Sequence, residues 1–266
     1  MKDKRLLANL LAIVFATCSL TVTSMAAPPE EEIDLLIERA MEAFEIPGMA
    51  VSIVYDGEVF YSKGHGRVEV SKSTRVDDKT LFQIASVSKA FTAAALAVLV
   101  DEGTLAWEDP VIDYLPEFRM YDPWVTREFT IRDLLTHRSG LPLGAGDLLM
   151  FPEAETSREE IIRAMRFLKP TTSFRSEYAY DNLLYIIAGE VVGSASSMPF
   201  EEFLEERLLF PLGMTDCAAT LGRTAKKATK ATPHVEVDGK LQTTLSLESD
   251  VGAAAGGINC SARSMA

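Results

Sequence analysis

Ser86-Val87-Ser88-Lys89 places a serine hydroxyl and a lysine amine three residues apart. On a helix such residues share a face, so Lys89 can reach back to Ser86 Oγ. A solvated lysine is protonated at neutral pH and useless as a base. Burial on an apolar helix lowers its pKa, because low dielectric disfavours the charged form, and it can then take the serine proton. A serine in the first turn of a helix also has its backbone N–H among those without an intrahelical partner, where an oxyanion can be held. The chemistry implied is nucleophilic attack by Ser86 on a carbonyl carbon. The plainer reading is a helix-capping serine followed by a solvated lysine, since Ser-x-x-Lys arises by accident about once in a chain of this size. The text that follows favours chemistry: Ala93, Ala94, Ala95, Leu96, Val98 and Leu99 make the helix apolar nearly all round. Such a helix is buried, and Lys89 is one of the few charges near its end.

Tyr180-Asp181-Asn182 is the second candidate. A tyrosine relays a proton when a nearby cation lowers its pKa. An amide side chain can donate to a substrate carbonyl and accept from an amide N–H. On spacing alone, Tyr180 reads as core and Asn182 as the N-cap of the next helix, and Tyr178 is a rival for the tyrosine role. His65, His137 and His234 are scattered, and the chain has no Gly-x-Ser-x-Gly elbow, so a Ser-His-Asp hydrolase is a weak reading.

These groups need elements to hold them. Ile33, Leu36, Ile37, Ala40 and Phe44 form one helical face, stopped by Pro47-Gly48. The runs 49–55 and 58–66 flank Asp56-Gly57 and predict a β-hairpin. Ser86 opens a helix over 86–102, with Gly103 as its C-cap. Thr130-Ile131-Arg132-Asp133 predicts a capped short helix ending near His137, and Ser157-Arg158-Glu159-Glu160 a capping box opening a helix to about Leu168. Apolar helices are predicted over 183–192 and 200–208. Residues 235–241 read as a second hairpin, 253–257 as a small-residue loop, and Ser261 begins a helix-like piece. A hairpin cannot stand alone, and the text after Lys240 offers few partners, which suggests an incomplete chain.

The 266 residues carry 26 Lys and Arg against 39 Asp and Glu, a net charge of −13, which makes the chain a poor candidate for binding nucleic acid through its phosphates. A hydrophobic fraction of 47% excludes disorder as the overall state. Three Cys and three His, scattered, exclude a finger-type metal site. Residues 1–26 read as a secretory signal peptide: a basic Met1-Lys2-Asp3-Lys4-Arg5 start, an apolar run over 6–20, and small residues Ser24 and Ala26 before a cut. The apolar run is shorter than the roughly 20 residues of a spanning helix. Export to a periplasm or the exterior is expected, with 27–266 as the mature domain. Cys217 and Cys260 then remain, as one disulfide or as two buried thiols.

Beyond spacing, residues 82–92, Phe-Gln-Ile-Ala-Ser-Val-Ser-Lys-Ala-Phe-Thr, resemble the active-site helix of the serine β-lactamase and penicillin-binding-protein superfamily, nearest its class C-like serine hydrolases. Gly103-Thr104-Leu105 with Asp109-Pro110-Val111 is similar to the stretch after that helix. Residues 134–142, Leu-Leu-Thr-His-Arg-Ser-Gly-Leu-Pro, are similar to the family's most recognisable non-catalytic segment. Tyr180-Asp181-Asn182 falls where its Tyr-x-Asn motif belongs, and Phe210-Pro211-Leu212-Gly213-Met214 and Ala255-Gly256-Gly257-Ile258 also fit. The match covers nearly all of 31–266 and reverses the core-and-cap reading of Tyr180.

The resemblance implies an α/β (α+β) fold: a β-lactamase-like antiparallel sheet flanked by helices, with an inserted helical domain. It implies that Ser86 attacks an amide or ester carbonyl, that Lys89 and Tyr180 handle protons, that Asn182 binds substrate, and that water hydrolyses the acyl-enzyme. No metal or organic cofactor is expected. The substrate would be a small molecule or peptide presenting a carbonyl; a β-lactam, a D-Ala-terminated peptide and an ester all qualify. The family's third motif, Lys/His-Thr/Ser-Gly, follows the Gly-Gly segment and does not occur before Ala266. The expectation is therefore a chain truncated before its C-terminal strands, with a non-catalytic peptide or peptidoglycan binder, or an inactive fragment, as the alternative.

Overall fold

The computed structural model describes residues 28–151, 156–246 and 250–266, so the expected leader over 1–26 lies outside the described residues. The chain divides into two compact units, Met1–Leu36 and Ile37–Ala266. Helix α1 (Glu30–Ala43) opens with Glu30, Glu31 and Glu32, acids that complement the positive end of the helix dipole. All that follows concerns the second unit.

Strands β1 (Gly48–Tyr55) and β2 (Glu58–Gly66) form the first hairpin. Asp56 and Gly57, with φ of 52° and 80°, supply the two left-handed positions of the primed turn that such a connection requires. β3 (Leu81–Gln83) leads into helix α2 (Ser88–Asp101) through a tight turn over Ala85–Val87. Helices α3 (Val111–Tyr114), α4 (Pro123–Glu128), α5 (Ile131–Leu135) and α6 (Arg158–Ala164) make up most of the helical middle of the chain. Both capping boxes form: Thr130 with Asp133 starts α5, and Ser157 with Glu160 starts α6. Helix α7 (Leu183–Ser196) is followed by α8 (Phe200–Leu204), which passes into a π turn over Glu205–Leu209. The second hairpin joins β4 (His234–Val237) to β5 (Lys240–Thr243). β6 (Asn259–Ser261) and α9 (Ala262–Met265) follow.

The core sits on α2 and α7, which pack against each other. Ala95, Leu96 and Leu99 from α2 are buried, as are Leu183, Leu184, Ile186, Ile187, Val191 and Val192 from α7. Phe118 and Phe129 close it edge to face, with ring centroids 5.5 Å apart. Among the described residues no single helix is long and apolar enough to cross a membrane.

Among the described residues the strands form three two-stranded antiparallel sheets: β1–β2, β3–β6 and β4–β5. The β3–β6 pair matters most for position, because it ties the segment before Ser86 to the far end of the chain. Leu81, Phe82 and Gln83 face Ser261, Cys260 and Asn259. Asn259 also bridges Ala218, and beside it Cys217 and Cys260 form a disulfide.

Residues 253–257, expected as a loop, instead form a π turn (Ala253–Gly257) with Ala253, Ala254, Ala255 and Gly257 buried. The sequence misleads because two glycines argue against helix, whereas the reason here is packing: small side chains let the turn lie against α2 and α7. A Cβ on Gly189 of α7 would fall 2.7 Å from Ala254 Cβ, closer than atoms tolerate. Single π turns of this kind occur often at functional sites.

Candidate active site

Ser86 stands at the junction of β3 and α2. The residue before it, Ala85, has φ of +46°, a left-handed conformation that costs a non-glycine residue about 1–3 kcal/mol and persists only where the surroundings enforce it. The segment 256–258 does so: Ile84 N–H donates to Ile258 O at 2.9 Å, and Gly256 lies against the Ala85 backbone. The result is an exposed Ser86 held over a buried Lys89.

Lys89 is 7% exposed. Its Nζ donates to Ser86 Oγ at 3.2 Å, to Asn182 Oδ1 at 2.8 Å and to Ala255 O at 2.7 Å. Three acceptors match the three N–H groups of an ammonium. The rings of Tyr180 and Tyr185 add their faces, with Nζ 4.8 and 5.3 Å from the centroids. The π turn supplies the Ala255 carbonyl, and it is fixed to α2 by Thr92 Oγ1 donating to Ala254 O at 2.7 Å.

Tyr180 Oη donates to Ser86 Oγ at 2.6 Å. Tyr178, the rival in the sequence, is 68% exposed and turns its ring to His137. Asn182 occupies the N-cap position of α7 but does not cap with its side chain. The cap comes from Asp181, whose Oδ1 accepts from Leu184 N–H at 3.1 Å, leaving the Asn182 amide free to bridge Lys89 and Asp147. So the structure brings Ser86, Lys89, Tyr180 and Asn182 into one hydrogen-bonded group. Ser86 and Asn182 line a cavity of about 160 Å³, walled also by Gln83, Met150, Phe151 and Gly256.

Three further residues belong to the group that motif spacing does not reveal. His137 is buried, with φ of +54° and its ring 4.5 Å from that of Tyr180. Its Nδ1 accepts from Asp181 N–H at 3.1 Å, which requires a lone pair there and places the proton of the neutral ring on Nε2. Burial, and then the charge of Lys89, hold its pKa below the usual imidazole range. Asp181 is fully buried; burial raises its carboxyl to about 6, the nearby Asp147 charge adds to this, and its Oδ2 has no hydrogen-bond partner. Asp147 accepts from Asn182 Nδ2 at 3.1 Å. His137 and Asp181 lie inside sequence motifs, Leu-Leu-Thr-His-Arg-Ser-Gly-Leu-Pro and Tyr180-Asp181-Asn182, whereas Asp147 carried no sequence signal. Among the described residues no group of three His, Cys, Asp or Glu side chains is arranged to hold a metal ion.

This arrangement can activate a serine, hold an acyl group and pass protons between a phenol and an amine. Comparison with known proteins agrees in kind. A family model described as beta-lactamase matches residues 33–266. The unguisins hydrolase ungD' of Aspergillus campestris (strain IBT 28561) is 32% identical over 196 residues, which cover 70% of this chain and 36% of that protein. Protein flp of Staphylococcus aureus (strain N315) is 29% identical over 193 residues, covering 73% and 39%. The chain thus spans little more than a third of the length of these curated relatives. Among solved structures, an octameric penicillin-binding protein homologue from Pyrococcus abyssi superposes with a TM-score of 0.77 at 25% identity, over 90% of this chain and 55% of that one. A class C beta-lactamase shares the fold with a TM-score of 0.75 at 22% identity, over 89% and 62%. With the family model matched across most of its length, the chain belongs to the beta-lactamase family, with the serine hydrolase fold of that family.

Proposed function

We propose that residues 27–266 form a serine hydrolase domain exported by a signal peptide over 1–26, and that it cleaves an amide or ester bond through a Ser86 acyl-enzyme. The observation that carries the reading is the convergence of Lys89 Nζ and Tyr180 Oη on Ser86 Oγ, at 3.2 and 2.6 Å. With one proton removed from the Tyr180–Lys89 pair, Ser86 Oγ bonds to the substrate carbonyl carbon as its own proton passes to that pair. That proton then goes to the leaving amine or alcohol as the C–N or C–O bond breaks. Water, deprotonated by the same pair, releases the acid and restores Ser86. The Ser86 backbone N–H, in the tight turn that leads into α2, would bind the oxyanion, a contribution worth about 10²–10³ in rate per donor in a typical serine hydrolase. Asn182, at the cavity wall, contacts the substrate. The substrate is a small molecule or peptide with an accessible carbonyl: a β-lactam, a D-amino peptide or an ester.

The test is covalent. The full-length protein is incubated with a fluorophosphonate probe and, separately, with a fluorescent penicillin, and hydrolysis of nitrocefin, p-nitrophenyl esters and D-amino peptides is followed. Labelling that maps to Ser86 and disappears in Ser86→Ala is expected. Hydrolysis undiminished in Ser86→Ala would sink the reading. Absence of both labelling and turnover would point to a ligand-binding member of the fold.

A further inference from the structure

The Asn182 side chain has two chemically different ends, and both are engaged. Oδ1 accepts from Lys89 Nζ at 2.8 Å, and Nδ2 donates to Asp147 Oδ1 at 3.1 Å. Asp147 is not placed by chance. It begins a tight turn over Asp147–Leu149, entered through Gly144 and Gly146, both left-handed at φ of +67° and +76°. A Cβ on Gly146 would lie 2.4 Å from Leu183 Cδ1, so glycine there lets the turn sit against the first residue of α7. Gly144 N–H donates to Tyr180 O at 2.9 Å, which ties the turn to the Tyr180–Asn182 segment itself. The 144–149 loop and the Tyr180-Asp181-Asn182 segment are therefore one positioned unit.

The chemistry gives this placement a consequence. An ammonium has no lone pair and accepts only the carbonyl end of an amide. A neutral amine has one, and accepts equally well from an amide NH₂. When Lys89 loses its proton, the Asn182 amide would gain a second acceptable orientation. An ionised carboxylate accepts and never donates, so Asp147 admits only the NH₂ end. Resting on the proposed function, we propose that Asp147 is a positioning residue that locks the Asn182 amide with its carbonyl toward Lys89 in both protonation states of the lysine. The other groups facing Lys89 are Ser86 in the tight turn before α2, Tyr180 and Asp181 just before α7, Tyr185 in its first turn, and His137 after α5; the π turn contributes only the Ala255 carbonyl. None of these bonds to the Asn182 NH₂ in the structure. The lock keeps an acceptor on the lysine at all times, and so holds its proton more firmly than an amide free to turn.

Asp147→Asn in the full-length protein is the decisive variant. It keeps shape but can donate as well as accept. The expected result is that the acidic limb of the Ser86 labelling rate with a fluorophosphonate moves to lower pH by about half a unit or more. A second measurement stands without turnover. In a Ser86→Ala background, the Lys89 ¹³Cε resonance, assigned by its loss in Lys89→Arg, is titrated alongside the Asn182 side-chain ¹H–¹⁵N pair, assigned by its loss in Asn182→Asp. With Asp147 present, the Asn182 pair stays in one environment as Lys89 titrates; in Asp147→Asn it changes with the lysine, which titrates at lower pH. Asp147→Glu, an acceptor-only carboxylate, retains wild-type behaviour and guards against a folding defect. Because Asp147→Asn also removes a negative charge that by itself lowers the lysine midpoint, the Asn182 signal decides: an Asn182 pair that behaves in Asp147→Asn as in wild type, whatever the lysine does, would overturn the proposal. Altered resonances in a protein whose Ser86 no probe labels would leave the lock standing and remove the hydrolase reading instead.

Discussion

Tyr180 Oη lies 2.6 Å from Ser86 Oγ, although 94 residues separate them in the chain. Lys89, three residues from Ser86, stands farther away at 3.2 Å, and its two other donors are committed to Asn182 and Ala255. The phenol is thus the less encumbered partner of the serine. Tyr180→Phe removes only the hydroxyl and leaves the ring under Lys89. It should slow acylation by about 10²–10⁴, the usual worth of a positioned proton-transfer group, while thermal stability changes little. Stopped-flow labelling with an ester or β-lactam substrate measures this, and a loss below threefold would remove Tyr180 from the proton path.

His137 works only as a neutral ring, because its Nδ1 must accept from Asp181 N–H. Protonation replaces that lone pair with a donor and puts a second cation beside Lys89. The labelling rate is therefore expected to fall as pH drops below the usual imidazole range, with the midpoint displaced downward by burial and the lysine charge. His137→Asn keeps an acceptor near the Nδ1 position and tolerates φ of +54°, since asparagine accepts left-handed backbone. It should lose that one inflection, and no other part of the acidic limb, while retaining activity. His137→Leu should lose activity at every pH. Identical pH profiles for wild type and His137→Asn would show that the ring does not titrate in this role.

Asp181 penalises the fold at neutral pH. Its carboxyl titrates at about 6 in the folded chain and near 3.8 when solvated, chiefly because it is buried. The folded state thus holds this proton more tightly than the unfolded one. Its contribution is fully present below pH 3.8 and is lost as pH rises through 6, by about 3 kcal/mol in total. His137, with a lowered pKa, acts in the opposite sense over part of that window. The clean reading is therefore the difference between wild type and Asp181→Asn, which retains an acceptor for Leu184 N–H. That difference should move in favour of the variant between pH 5 and pH 8. Denaturant melts at both pH values check it; a constant difference would mean that the carboxyl titrates normally.

The Cys217–Cys260 disulfide spans 43 residues and anchors the strand that pairs with β3. Closing a loop of that length stabilises by about 4 kcal/mol in the chain-entropy description. Reduction, or Cys217→Ala with Cys260→Ala, should lower Tm by roughly 8–16 °C for a domain of this size. The labelling rate should fall too, because β6 and the π turn before it hold Ala85 and Lys89. Alkylation without reduction should find neither thiol. Two titrated thiols in protein purified under oxidising conditions would contradict the bond.

What the sequence determined by itself is local. The Asp56-Gly57 turn, the two capping boxes and the apolar α2 and α7 were legible because turn chemistry, capping and periodicity act within a few residues. Ser86 and Lys89 were legible as a pair for the same reason, since helix geometry alone puts them on one face. Tyr180 and Asn182 were not: spacing made them core and cap, and only resemblance to a family raised them. Tertiary structure decided between Tyr178 and Tyr180, since the choice depends on which ring stacks beneath Lys89 from another part of the chain. It also assigned the cap to Asp181 rather than Asn182, paired the two cysteines, and turned the expected loop at 253–257 into a π turn. Each of these depends on contacts between segments far apart in sequence, where the small size of Ala254 and Gly189 sets a distance that no local preference encodes. Asp147 stayed silent for the same reason: a carboxylate behind an amide acquires its role only when the fold brings a partner 35 residues away within hydrogen-bond reach.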